Sequence, residues 1–142
     1  MTPEQIQRVR ESWTAVTPIA DTAADLFYQR LFEIDPTTRP LFGATDMAAQ
    51  RTQLVAALAA VVAGADRPEE LVPTLEALGR RHVAYGVEDR HYDSVGAALI
   101  WTLEQGLGDG FTEAVREAWT AAYALVSGVM REAARDATRS AA

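Results

Sequence analysis

The sequence predicts an all-α protein. Apolar residues recur at three- and four-residue intervals from end to end, and no segment alternates apolar and polar residues as a half-buried strand would. Capping residues, prolines and glycines fall where those periodic stretches begin and end, and they set the expected helix boundaries.

Thr2-Pro3-Glu4-Gln5 opens a first helix with a capping threonine, proline at the first helical position and glutamine at the capping-box position. Ile6, Val9, Trp13 and Val16 line one face of it, and a break is expected near Pro18. A second helix carries Ala24, Phe27, Tyr28, Leu31 and Phe32, after which Asp35-Pro36 caps a short third helix that runs out near Pro40. Leu41-Phe42-Gly43 enters a corner. Thr45 or Asp46 then caps a helix with Met47, Gln50, Leu54, Leu58 and Val61 on one stripe, ending near Gly64. Pro68 restarts the chain; Pro73 is expected to bring a short turn before the helix that bears His82, which stops at Gly86. A long helix starts between Asp89 and Tyr92 and carries Val95, Leu99, Leu103 and Leu107. A turn holding Gly106, Gly108 and Gly110 follows, and Thr112 caps a last helix through Val115, Trp119, Tyr123 and Val126 to about Met130, with a frayed tail over 133–142.

At 142 residues the chain has the size of one domain, 1–142, and is too short to include a fused reductase or kinase. There is no cysteine, which excludes disulfides, thiolate nucleophiles and sulfur-built metal centres. The net charge of −7, with scattered basic residues that are all arginine, argues against nucleic acid as a partner. The amino terminus lacks the pattern of a signal peptide, and the apolar run around Leu54–Ala65 is too short to span a bilayer, so a soluble cytoplasmic protein without membrane partners is expected.

Two polar residues interrupt apolar stripes. His82 follows Leu71, Leu75 and Leu78 along one helix and precedes Tyr85; Gln50 sits between Met47 and Leu54 on another. The local pattern around His82 allows a buried histidine bonded to a backbone carbonyl or a metal ligand. With two histidines in all, a multi-histidine site is not expected, whereas a haem iron needs one protein ligand because the porphyrin supplies four nitrogens. If the two helices face each other across a flat ligand, Gln50 and His82 lie on opposite sides of it, and Tyr28 adds a second donor.

The order and spacing of several pieces resemble the globins, in particular bacterial single-domain haemoglobins and the haem domain of flavohaemoglobins. These pieces are Leu-Phe-Tyr-Gln-Arg-Leu-Phe at Leu26–Phe32, Asp-Pro followed by Arg-Pro-Leu-Phe ending at Phe42, Gln50 four before Leu54, His82 followed by Tyr-Gly-Val, His91-Tyr92, and Trp119 four before Tyr123. The resemblance covers about Ile6 to Met130 and implies a globin fold of about seven to eight helices around a haem pocket, with haem b as cofactor. It implies that His82 is the proximal iron ligand, that Phe42 packs on the porphyrin, and that Tyr28, Gln50 and Leu54 form the distal pocket. Leu78, Val87, Val95 and Leu99 would wall the pocket, and Arg81 would pair with a propionate or be solvated. His91 is the rival ligand; the matching family position makes Tyr92 a pocket residue and His91 a surface residue at a helix start.

The implied function is reversible, tight binding of O2, with NO, CO and nitrite as further ligands and NO dioxygenation where an external reductase restores ferrous iron. A haem-based gas or redox sensor acting through a partner protein is the alternative. A glutamate that supports the proximal histidine in flavohaemoglobins falls, on ungapped counting from Trp119, at Ala134. Glu132 would face about 200° away on a helix, so strong peroxidase-like chemistry is not expected.

Overall fold

The computed structural model describes residues 1–141. Six α-helices are joined by corners and short 3-10 turns: α1 (Pro3–Val16), a turn at Thr17–Ile19, α2 (Ala20–Ile34), a 3-10 segment at Pro36–Phe42, α3 (Met47–Ala63), α4 (Pro68–Ala84), α5 (Asp89–Leu107), a turn at Gly108–Gly110, and α6 (Glu113–Ala141). No strand occurs among the described residues.

The boundaries follow from side chains that satisfy the free amides of each first turn. Thr2 Oγ1 accepts the Gln5 amide at 3.1 Å while Gln5 Oε1 accepts the Thr2 amide at 3.0 Å. Asp35, Asp46 and Thr112 each accept an amide two or three residues on, at 3.1, 3.0 and 3.2 Å. Such caps contribute about 1 kcal/mol apiece. At the end of α4, Gly86 adopts φ of +92°, which lets the Val87 amide turn back onto the His82 carbonyl at 3.0 Å.

Two boundaries differ from the sequence expectation. α4 runs unbroken through Pro73, so no turn separates Pro68 from the helix of His82. Pro73 is exposed, and the amide it lacks would have met only the Glu69 carbonyl in the second turn, where water can serve instead. Likewise α6 continues past Met130 to Ala141, because Ala133 is buried rather than left free as an apolar tail.

α2 packs on α5, α1 packs on α6, and α4 lies along α6. The buried side chains form two clusters. The larger joins Val9, Phe27, Leu31, Leu99 and Trp119, with Phe42, Leu54 and Val95 packed at its edge. The smaller joins Leu75, Tyr92 and Met130, flanked by Leu71, Leu78 and Val87. Polar groups inside are paired where the helices cross: Trp119 Nε1–H donates to Ser12 Oγ at 2.8 Å, and the Tyr123 hydroxyl donates to the Tyr92 carbonyl at 2.5 Å. Among the described residues, no helix is long and apolar enough to cross a membrane.

Asp35 ties the 3-10 segment to α5. Its carboxylate accepts the Thr37 hydroxyl and, at 2.8 Å, the Ser94 hydroxyl, and these bonds hold its pKa below the ordinary carboxylate value. A lowered folded-state pKa means that ionised Asp35 stabilises the fold above about pH 4 and loses that contribution as acid protonates it. Asp35→Asn is therefore expected to flatten the acid limb of the stability curve, measured by urea unfolding at stepped pH; parallel curves for both proteins would remove this role.

Candidate functional site

α4 presents His82 on the side opposite Arg80, with Leu78 one turn before it. The imidazole Nδ1 lies 2.7 Å from the Leu78 carbonyl, so Nδ1 carries the proton and donates. The alternatives that the local pattern allowed are thus combined in one ring: one nitrogen is bonded to a carbonyl, and Nε2 keeps its lone pair with no protein partner among the described residues. Burial pushes the His82 pKa down; the Leu78 bond works against that, and the Arg81 charge adds to it. The ring is a neutral, oriented donor of one electron pair.

The second group of residues gathers on α2, the 3-10 segment and α3. Tyr28 is 6% exposed, and its hydroxyl accepts from Gln50 Nε2 at 3.2 Å. Burial raises the Tyr28 pKa and the Gln50 bond opposes the shift, so the phenol stays protonated at neutral pH. Its own proton has no protein acceptor among the described residues. Phe42 meets Tyr28 edge-on at 5.5 Å and Phe32 at 5.7 Å, which fixes the corner against the Tyr28 ring. The Gly86 turn closes on the same corner, since a side chain at Gly86 would touch Leu41 at 3.4 Å.

The candidate residues fall on the two clusters. Tyr28, Phe42, Leu54, Val95 and Leu99 belong with the larger one, whereas Tyr92 belongs to the smaller one and Leu78 and Val87 flank it. α3 and α4, which carry Gln50 and His82, barely touch each other. Only Val62 of α3 is buried, and Leu54, Leu58, Leu71, Leu78 and Val87 all stay partly exposed. Apolar rows left half-covered on facing elements fit a flat apolar group between them. Arg81 is exposed and without an ion pair among the described residues. Tyr85, expected on the apolar face, stands 60% exposed.

His91 is not the surface residue that the sequence suggested. It is 3% exposed, its Nδ1 accepts the Glu88 amide at 2.8 Å, and Nε2–H lies 3.2 Å from the Thr37 hydroxyl. Both nitrogens are committed, so His91 is no rival ligand in this arrangement. The signal was present as Glu88-x-x-His91, a capping box with histidine in the place usually taken by glutamate or glutamine. Tyr92 is buried with a hydroxyl that finds no partner among the described residues, while Arg131 lies over its ring at 5.3 Å.

Among the described residues no three His, Cys, Asp or Glu side chains gather as a metal cluster. A resident metal at His82 would thus bring most of its own ligands, as an iron porphyrin does. A profile of the globin family matches residues 25–130.

The chain belongs to the globin family.

Membership implies haem binding, with which the donor set at His82 and the half-covered apolar rows agree. The globin is 30% identical over 131 residues to a flavohemoprotein of Vibrio cholerae, covering 91% of this chain and 33% of that protein. It is 34% identical over 106 residues to a flavohemoprotein of Bordetella parapertussis, covering 73% of this chain and 26% of that one. The chain thus spans a third or less of the length of these curated relatives. Among solved structures, a bacterial globin from Campylobacter jejuni superposes with a TM-score of 0.82 at 23% identity, covering 95% of this chain and 97% of that one. An engineered carbene transferase, derived from a Rhodothermus marinus protein provisionally described as a nitric oxide dioxygenase, superposes with a TM-score of 0.87 at 26% identity, covering 98% and 96%.

Proposed function

We propose that this globin holds haem b through His82 Nε2, binds O2 and other diatomic gases reversibly and tightly, and converts NO to nitrate when a separate reductase supplies electrons. Haem b, when bound, would supply an iron that takes up a diatomic gas. The observation that carries the reading is the His82 tautomer: the Leu78 carbonyl holds the proton on Nδ1 and leaves Nε2 free to ligate.

The chain's own residues supply the rest. Phe42, Leu54, Val95 and Leu99 from the larger cluster and Leu78 and Val87 from the smaller one would wall the pocket and exclude water from the group. Tyr92 would stand on the His82 side, and Arg81, free of ion pairs among the described residues, would hold a propionate. Tyr28 O–H and the Gln50 amide are donors for a gas molecule that has drawn electron density onto its oxygen. NO, O2 and one electron combine to nitrate, so the electron donor is a required partner, and CO and nitrite fit the same pocket as alternative ligands.

Tyr28→Phe removes the better placed donor. A hydrogen bond to a partly charged acceptor contributes about 1–3 kcal/mol, so O2 dissociation is expected to speed up by roughly an order of magnitude or more. Stopped-flow displacement of O2 by CO measures this, and an unchanged rate would take Tyr28 out of the mechanism. The reading as a whole is tested by absorption spectra of the chain mixed with haemin in ferric, dithionite-reduced and CO-bound forms. A Soret band that shifts on CO addition is expected; no uptake of haemin would overturn it.

A further inference from the structure

His91 is buried where two corners of the chain meet. Its ring stands at the start of α5, against the 3-10 segment that ends in Phe42. The Glu88 amide donates to Nδ1 at 2.8 Å, so the proton of the neutral ring sits on Nε2 and is donated to the Thr37 hydroxyl oxygen, 3.2 Å away. Thr37 in turn donates its hydroxyl proton to Asp35 Oδ1, which also accepts the Thr37 amide at 3.1 Å, and Ser94 of α5 donates to Asp35 Oδ2 at 2.8 Å. Every donor in this chain of bonds points the same way, from α5 towards the Asp35 carboxylate.

The chain reaches both halves of the candidate site. Asp35 caps the segment Pro36–Phe42, and the buried Thr38 bonds back to the Asp35 carbonyl at 2.7 Å, so the place of Phe42 against Tyr28 depends on where Asp35 is held. At the other end, Glu88 directly follows Val87, whose amide closes the turn after α4 onto the His82 carbonyl. A second proton can join the His91 ring at Nδ1 alone, where it would confront the Glu88 N–H, because an imidazolium donates from both nitrogens. The cap of α5 must then open. Two carboxylates face the charged ring: Glu88, whose Oε2 lies 3.9 Å from Nε2 and already accepts from Arg90, and Asp35 behind Thr37.

We propose that His91 is a positioning residue for gas binding: the neutral ring fixes Phe42 against Tyr28 through Thr37 and Asp35, and its protonation releases that corner. The proposal rests on the gas-binding reading. Asp35 does not itself titrate in the same range, since the Thr37 and Ser94 bonds hold its pKa below the ordinary carboxylate value.

The test follows the haem-loaded, CO-bound protein by NMR from about pH 8 to about pH 5, the span in which histidines change charge. Nitrogen-15 signals of the His91 ring and the Glu88 amide and proton signals of the Phe42 ring are expected to move together. O2 dissociation, timed by stopped flow over the same range, should quicken roughly twofold to tenfold towards acid, as for the loss of one hydrogen bond. His91→Gln keeps an acceptor for Glu88 and a donor for Thr37 but has no titrating proton, so both responses should vanish. Thr37→Val cuts the chain beyond His91: the ring and the Glu88 amide should still titrate, while Phe42 and O2 release no longer follow. Phe42 signals that ignore pH in the parent protein, or that keep their response in either variant, would overturn the proposal. The Soret band reports haem uptake separately, and the Glu88 and Phe42 signals can also be read without haem, so a failure of the gas-binding reading is distinguishable from a failure of this one.

Discussion

His82→Ala is expected to lose stable haem retention. Among the described residues His82 Nε2 is the one imidazole nitrogen without a protein partner, since both nitrogens of His91 are engaged and Nδ1 of His82 is bonded to Leu78. Removing even a supporting partner of a metal ligand costs about 10–100-fold in affinity, and removing the ligand itself should cost more. Transfer of haem to an excess of a competing haem-free protein, timed by the Soret band, measures the loss. His91→Gln is the matching control. Glutamine at that position can accept the Glu88 amide as in an ordinary capping box, so this variant should keep its haem. Retention by His82→Ala together with loss in His91→Gln would reverse the assignment.

Gly79→Val is expected to lower stability by about 2–3 kcal/mol, or roughly 5–10 °C in Tm for a chain of this size. α4 crosses α6 at Gly79, where a Cβ would lie 2.5 Å from the Met130 carbonyl oxygen and 2.9 Å from Met130 Cα. Those neighbours are backbone and cannot rotate away, so the helices must separate, and the separation carries His82 with it. Gly128→Ala, in the same α6, gives the opposite sign. No atom of the described residues lies within 4 Å of its Cβ position, and alanine should gain up to about 1 kcal/mol of helix propensity. Thermal unfolding of both variants without haem separates the packing effect from any ligand effect; equal Tm values would remove the close crossing as a constraint.

Much of this architecture could be read from local chemistry. Thr2, Asp35, Asp46 and Thr112 announce their helices because a capping bond involves residues two or three apart, and a sequence displays such pairs directly. The polar interruptions at Gln50 and His82 are visible for the same reason, through helical periodicity. What remained hidden depends on partners far along the chain. His91 is buried because Thr37 reaches it from 54 residues away. The end of α6 is held by burial of Ala133, which no periodicity within the tail alone reveals. Pro73 misleads in a different way: its local penalty is real, but packing of Leu71, Leu75 and Leu78 outweighs the loss of one exposed hydrogen bond. In the candidate site, the residue types could be read, whereas the proton position on His82 required the Leu78 carbonyl to be located.

The seam between the two apolar clusters also bears on how the protein acquires its cofactor. α4 is fastened chiefly to α6, and the half-covered rows on α3 and α4 gain their partners only when something lies between them. Without that filling, α3 is the helix with the least packing against the rest, and local opening draws on such weakly anchored segments. Loading then amounts to one helix swinging shut on an already folded body formed by α1, α2, α4, α5 and α6. Amide exchange in the haem-free chain should accordingly be fast across Met47–Ala63 and slow across α2, and uniform protection would show that the body and its door open together.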